Sequence, residues 1–183
     1  MSKQVKGTMV KLMVKAARAN KNGDYDNILT DDAKNLVSQR ILDSIWYSYE
    51  AYRSIHDAVV KIDGRDNPKI LNQWGQKFGE GIMTSIYKNT IVDSDIEKLL
   101  ERYRRFHTLV YNWGEIKTEK ISETQINITY ERFERDWEFF YYIAIGWMQR
   151  FMELCIGKKV NFRILKQSWN GDTATTFTLY WNS

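Results

Sequence analysis

A chain of 183 residues suits one domain, whose single core would remove about 70% of the unfolded surface from water. Hydrophobic residues make up 43% and aromatics 14%, which excludes a disordered chain. The 27 basic and 23 acidic side chains leave a charge of only +4, too balanced for the electrostatic footprint of a nucleic-acid binder.

The first 23 residues contain Lys and Arg but no acid, with Val5, Met9, Val10, Leu12, Met13, Ala16 and Ala17 interleaved. This reads as a first helix laying an apolar stripe on the core; a membrane-surface or targeting helix is the alternative. No run approaches the ~20 apolar residues of a membrane span, and no apolar secretory signal region opens the chain, so no transmembrane segment is expected; Cys155 as the single cysteine allows no intrachain disulfide, so a reducing, cytoplasmic setting is expected. Asn20 to Asp24 form a polar turn. Thr30, followed by Asp31 and Asp32, starts a short helix. Ser48 starts a longer one carrying Tyr49, Tyr52, Ile55, Val59 and Val60, which Gly64 ends.

Asn67 before Pro68 reads as an N-cap followed by proline in the first turn, where a missing N–H costs nothing, and the helix should run to about Lys88. It contains Gly75, Gly79 and Gly81, each costing about 1 kcal/mol against alanine. Such a run points to something that approaches the backbone closely, either another helix or a ligand. Ser94 and Glu97 form a capping box for a helix with apolar residues at Ile96, Leu99, Leu100, Tyr103, Phe106, Val110 and Tyr111, stopped by Gly114.

The period then changes to two. Ile116 and Thr118 face Ile126, Ile128 and Tyr130 across a SerGluThr turn, one amphipathic hairpin. A helix over roughly 135–156 carries Trp137, Phe140, Tyr141, Ala144, Trp147, Met148, Phe151 and Cys155, with Phe139 and Ile143 beside them, a stripe wide enough for burial on several sides. Val160, Phe162 and Ile164, an AsnGly turn at 170–171, then Phe177, Leu179 and Trp181 form a second hairpin. The fold class expected is α+β, a helical layer on a four-stranded antiparallel sheet made of two hairpins, with residues 1–183 as one domain.

Little points to catalysis. Asp31 with Asp32, and Glu131 with Glu134, suit caps and solvated faces, and no nucleophile with a base or phosphate loop is evident, so the chain is expected not to be an enzyme. Arg102, Arg104 and Arg105 suit a solvated helix face paired with Glu97 and Glu101, or contact with phosphate. Two histidines and the single Cys155 leave no thiolate zinc site, and Cys155 among apolar neighbours reads as a buried structural thiol. If a ligand pocket exists, its wall should include Trp74, Phe78, Ile82, Phe106, His107, Phe140, Ile143 and Trp147, and its ligand would be a hydrophobic small molecule, lipid or acyl chain. The competing expectation is an assembly module, pairing as a homodimer or with a related subunit, with Trp46, Tyr47, Tyr49 and Tyr52 as exposed anchors, residues equally able to be part of the core.

The element order, with LysGlyThrMetVal at 6–10, IleTrpTyrSerTyrGluAlaTyr at 45–52 and GlyAspThrAlaThrThrPheThrLeuTyrTrp at 171–181, resembles a superfamily. It contains the haem-nitric-oxide-binding (H-NOX) domains, the 4-vinyl-reductase ligand-binding domains, the TRAPP transport subunits and, closest in pattern, a myxobacterial paralogous family of unknown function. The resemblance implies a non-enzymatic signalling or carrier domain that binds a small molecule, or a TRAPP-like dimeric module. The 4-vinyl-reductase ending has a cysteine, a zinc ligand in phenol-sensing relatives, where this chain has Thr175. An H-NOX domain needs a proximal histidine before the first hairpin, and His107 stands there. It also needs a Tyr-x-Ser-x-Arg motif for the haem propionates; here Tyr130 is followed by Glu131, Arg132, Phe133 and Glu134, with Arg135 one place late. No cofactor and no metal are therefore expected, with haem at His107 as the alternative.

Overall fold

The computed structural model describes residues 2–85 and 95–182, with the side chains of Ile82 and Ser85 outside that description. The backbone groups into two compact units, Met1–Asp66 with Thr108–Trp113, and Asn67–His107 with Gly114–Ser183.

In the first unit, β1 (Gln4–Lys6) pairs antiparallel with β2 (Trp46–Ser48), Val5 opposite Tyr47. The sequence reading has no strand at 46–48, because three residues are too short to show a period of two. Helices α1 (Gly7–Ala19), α2 (Asp31–Ser38) and α3 (Tyr49–Ile62) complete the unit. The expected caps form: the Thr30 hydroxyl accepts the Ala33 N–H at 3.3 Å and the Ser48 hydroxyl that of Ala51 at 3.4 Å. Val10, Met13, Val14 and Ala17 of α1 are buried, so the basic amphipathic segment turns its apolar stripe to the core. Tyr49 and Tyr52, expected as exposed anchors, are 2% and 1% exposed, because both lie on the inward face of α3. Trp46 and Tyr47 are half-buried; the Tyr47 hydroxyl accepts the Leu42 N–H at 2.8 Å, and the Lys6 ammonium sits 4.5 Å from the Trp46 ring centroid.

The second unit contains α4 (Pro68–Ser85), α5 (Ile96–Val110, leaving this unit after His107), α6 (Glu138–Ile156) and a four-stranded antiparallel sheet. The strands are β3 (Glu115–Ser122), β4 (Gln125–Glu131), β5 (Asn161–Lys166) and β6 (Thr175–Tyr180), in the spatial order β3-β4-β6-β5. The α+β class and the two hairpins are as expected. The hairpins join through β4 and β6, with Ile126 opposite Leu179 and Ile128 opposite Phe177, all four fully buried.

The second hairpin does not close on a two-residue AsnGly turn. Ser168–Asn170 form a 3-10 turn, Gly171 takes a φ of +105°, and the Asp172 carboxylate accepts the Gln167 N–H at 2.6 Å. This wider loop lets Trp169 stack on Tyr141 of α6 at 5.5 Å between centroids. At α4 the Asn67 side chain accepts the N–H groups of Lys69 and Ile70, as expected. Its expected end near Lys88 lies outside the described residues, as does Ser94 of the capping box. For α5 the Asp95 carboxylate accepts the N–H of Glu97 at 3.0 Å and of Lys98 at 3.4 Å. Arg104, expected on a solvated face, donates to the Thr118 hydroxyl on β3.

Helices α4 and α6 cross at glycine. A Cβ on Gly75 would lie 2.0 Å from the Ile143 carbonyl oxygen, and one on Gly146 would lie 2.0 Å from that of Asn72. One on Gly79 would meet the Trp147 ring at 2.1 Å, whereas one on Gly81 would meet nothing within 4 Å. The close neighbour inferred from the glycine run is therefore a helix. Beside the crossing, Asn72 donates to the Gln149 side chain at 2.8 Å and Gln149 donates to the Val160 carbonyl at 3.0 Å, so the buried amides satisfy one another. Cys155 is half-buried, and desolvation pushes its thiol up to about 11, which suits a structural thiol. Among the described residues no helix is long and apolar enough to cross a membrane, and no group of three or more His, Cys, Asp or Glu could hold a metal.

Candidate functional site

The feature of the second unit that stands apart from ordinary aliphatic packing is a cluster of rings around His107. Helix α5 places Tyr103, Phe106 and His107 on one face because three- and four-residue spacings return to the same side. Helix α6 contributes Phe140, Tyr141, Trp147 and Phe151. The inner face of the sheet contributes Tyr130 and Phe177, and the segment after β4 contributes Phe133 and Trp137.

His107 is 4% exposed, its ring edge-on to Phe133 at 5.6 Å and to Tyr130 at 6.2 Å. Phe133 and Trp137 both lie against Phe140, at 5.0 and 4.5 Å. Phe106 meets Trp147 edge-to-face at 4.4 Å and 87°. Geometries of this kind contribute about 0.5–1.5 kcal/mol per pair beyond area burial. The Tyr103 and Tyr130 hydroxyls hydrogen-bond each other at 2.5 Å inside the cluster, and desolvation pushes the ionisation of Tyr103 upward. The Tyr141 hydroxyl donates to the Glu134 carbonyl at 2.7 Å, and burial raises its ionisation as well. The Trp147 indole N–H is buried without a partner among the described residues.

Of the pocket wall expected from sequence, Phe106, His107, Phe140 and Trp147 belong to this cluster. Ile143 instead supplies the backbone against Gly75. Trp74 and Phe78 are half-buried on α4, and the Ile82 side chain lies outside the described residues. Tyr103, Tyr130, Phe133 and Trp137 were not expected at the site. The spacing of Tyr103 to Phe106 and His107 was a usable signal; the irregular segment holding Phe133 and Trp137 offered none.

A haem at this centre would need His107 and a grip on the propionates. Tyr130 is hydrogen-bonded to Tyr103, and Arg132, at a φ of +52°, pairs with Glu115. Arg135 donates to the carbonyls of Asp172 at 2.9 Å and Gly171 at 3.4 Å, while Glu134 stands where the motif has arginine. The buried histidine suits the group; the residues of the propionate clamp do not.

These features define an α+β domain with an aromatic centre around one buried histidine. Solved structures place the architecture: the fold is that of H-NOX domains. An unliganded Fe(II) H-NOX mutant from K. algicida is 13% identical, covered over 97% of both chains, with a TM-score of 0.67. A point mutant of the T. tengcongensis H-NOX is 12% identical over 97% of this chain and 98% of that one, TM-score 0.64. An oxygen-binding H-NOX domain related to soluble guanylate cyclases, solved as its oxygen complex, is 11% identical over 97% and 95%, TM-score 0.64. No family model and no curated protein matches the chain.

Proposed function

We propose that this chain is a non-enzymatic small-molecule-binding sensor or carrier domain, whose ligand is a hydrophobic molecule or acyl chain received at the aromatic centre around His107. The observation that carries the reading is that centre itself: a nearly solvent-free histidine, two coupled tyrosine hydroxyls and an unpartnered indole N–H among rings, in a fold shared with H-NOX domains over 97% of the chain. Apolar walls supply affinity, and a few fixed donors orient the guest. An apolar guest in place of haem is supported by Arg132 and Arg135, which are committed to Glu115 and to backbone carbonyls.

Native mass spectrometry of gently purified protein is expected to show a bound apolar molecule that is lost in a Phe106→Ala, Phe140→Ala variant; a clean apo mass counts against the reading. Haemin titration is expected to give no His107-dependent Soret band. A Soret band abolished by His107→Ala would replace the apolar ligand with haem.

A second reading, assembly as a homodimer or with a related subunit, is favoured by the sheet edges. Strands β3 and β5 are the outer strands and carry Ile121 and Leu165, each 45% exposed. A strict monomer in sedimentation at tens of micromolar would remove it.

A further inference from the structure

In the first unit, Lys11, Lys15 and Arg18 follow one another at spacings of four and three and form a ridge along the outer face of α1. Facing them across a cleft of about 630 Å³ runs the segment from Ser38 to Asp43, between α2 and β2. The volume lies within the range of small-molecule sites, about 300–1,000 Å³. Two features set this cleft apart from an ordinary solvated helix face.

The first is its charge. Four cations, Lys11, Lys15, Arg18 and Arg40, line it against the single carboxylate of Asp43. Asp43 is engaged by Lys11 at 3.2 Å. Arg18 is held by the carbonyls of Val37 at 2.7 Å and Gln39 at 2.6 Å, which fix the guanidinium without neutralising it. Lys15, on α1, and Arg40, in the 38–43 segment, make no hydrogen bond or ion pair among the described residues. The second is its apolar lining of Val14, Ile41 and Leu42, in which Leu42, 46% exposed, presents the accessible surface and the buried Val14 and Ile41 back it. Cations carried by two segments beside an accessible Leu42 match a compact guest carrying an anionic head and an apolar body. A flat lipid surface would instead be met by cations and apolar groups arrayed on one plane.

We infer that this cleft binds a small amphipathic anion, a carboxylate or phosphate on a short apolar chain, with Lys15, Arg18 and Arg40 holding the head and the exposed Leu42 side chain meeting the chain. The inference is independent of the aromatic centre, which lies in the other unit.

The test is calorimetric titration of the full chain with decyl phosphate and with decanoate, both below their micelle concentrations. One-to-one binding is expected, weakened about tenfold by either Lys15→Gln or Arg40→Gln, as for loss of one charge-assisted hydrogen bond. Lys34→Gln, on α2 outside the cleft, should leave affinity unchanged. Decanol and inorganic phosphate should each bind at least tenfold more weakly than decyl phosphate. Each variant is first shown to keep the parent's circular dichroism and melting temperature. Absence of saturable heat with both amphiphiles overturns the inference, and so does binding that neither substitution alters, which would place the guest elsewhere. Binding to anionic phospholipid vesicles without binding to the soluble amphiphiles overturns it in favour of a membrane surface.

Discussion

At the scale of single residues, the Tyr103–Tyr130 pair is the most consequential polar feature of the aromatic centre. Each hydroxyl bonds the other in a solvent-free setting, so removing one takes a buried hydrogen bond from the other. Tyr103→Phe or Tyr130→Phe is expected to cost about 1–3 kcal/mol in urea unfolding, and the double variant clearly less than the sum. Additive losses would show that the two hydroxyls are not coupled. Cys155 makes a prediction of the opposite kind. Burial pushes its thiol up to about 11 and so favours the protonated form in the fold. At pH 8 about one thiol in a thousand is then the nucleophilic thiolate, and with the greater nucleophilicity of a more basic thiolate a disulfide reagent should react about twentyfold more slowly than with free cysteine. The rate should rise close to tenfold per pH unit toward that value. A reaction at pH 8 as fast as that of a free thiol would contradict the burial.

At the scale of elements, the crossing of α4 and α6 assigns different costs to glycines only six residues apart. Gly75 meets the Ile143 carbonyl, which cannot withdraw without moving α6, so Gly75→Ala is expected to destabilise by about 1–3 kcal/mol or more. A Cβ added at Gly81 would meet nothing within 4 Å, so Gly81→Ala should stabilise by about 0.5–1 kcal/mol through the helix propensity of alanine. Thermal melting of the two variants checks the sign of each. Equal effects would mean that backbone approach is not what selects glycine in this helix. The caps behave as local rules demand at Thr30, Ser48 and Asn67, while α5 takes its cap from Asp95. An element's start depends on a few neighbouring residues, which is why such starts can be read from a linear pattern. The loop from Gln167 to Asp172 shows the limit of that rule. Its AsnGly pair has the composition of a tight turn, but the stacking of Trp169 on Tyr141 selects a wider one.

At the scale of the whole molecule, α5 runs as one continuous helix from residues of the second unit into residues of the first. On the reading of residues 1–183 as a single domain, calorimetry should give one transition with equal calorimetric and van't Hoff enthalpies. Two resolved transitions would assign the compact units to separate domains.

The linear pattern was sufficient for the α+β class, the two late hairpins, the broad apolar face of α6 and the placement of His107 near an apolar centre. Helical and strand periods and most caps are set within a few residues along the chain, and the resemblance to the H-NOX superfamily rests on their order. Three things depended on groups far apart in sequence. Packing decided that Gly75 and Gly79 face a helix, and that Tyr49 and Tyr52 turn inward. It brought Phe133 and Trp137 onto Phe140, and Tyr103 onto Tyr130. It also brought Lys15 and Arg40 to the lining of one cleft, a juxtaposition that no period announces. Such contacts are the free-energy outcome of the whole fold, and local propensity carries no record of them.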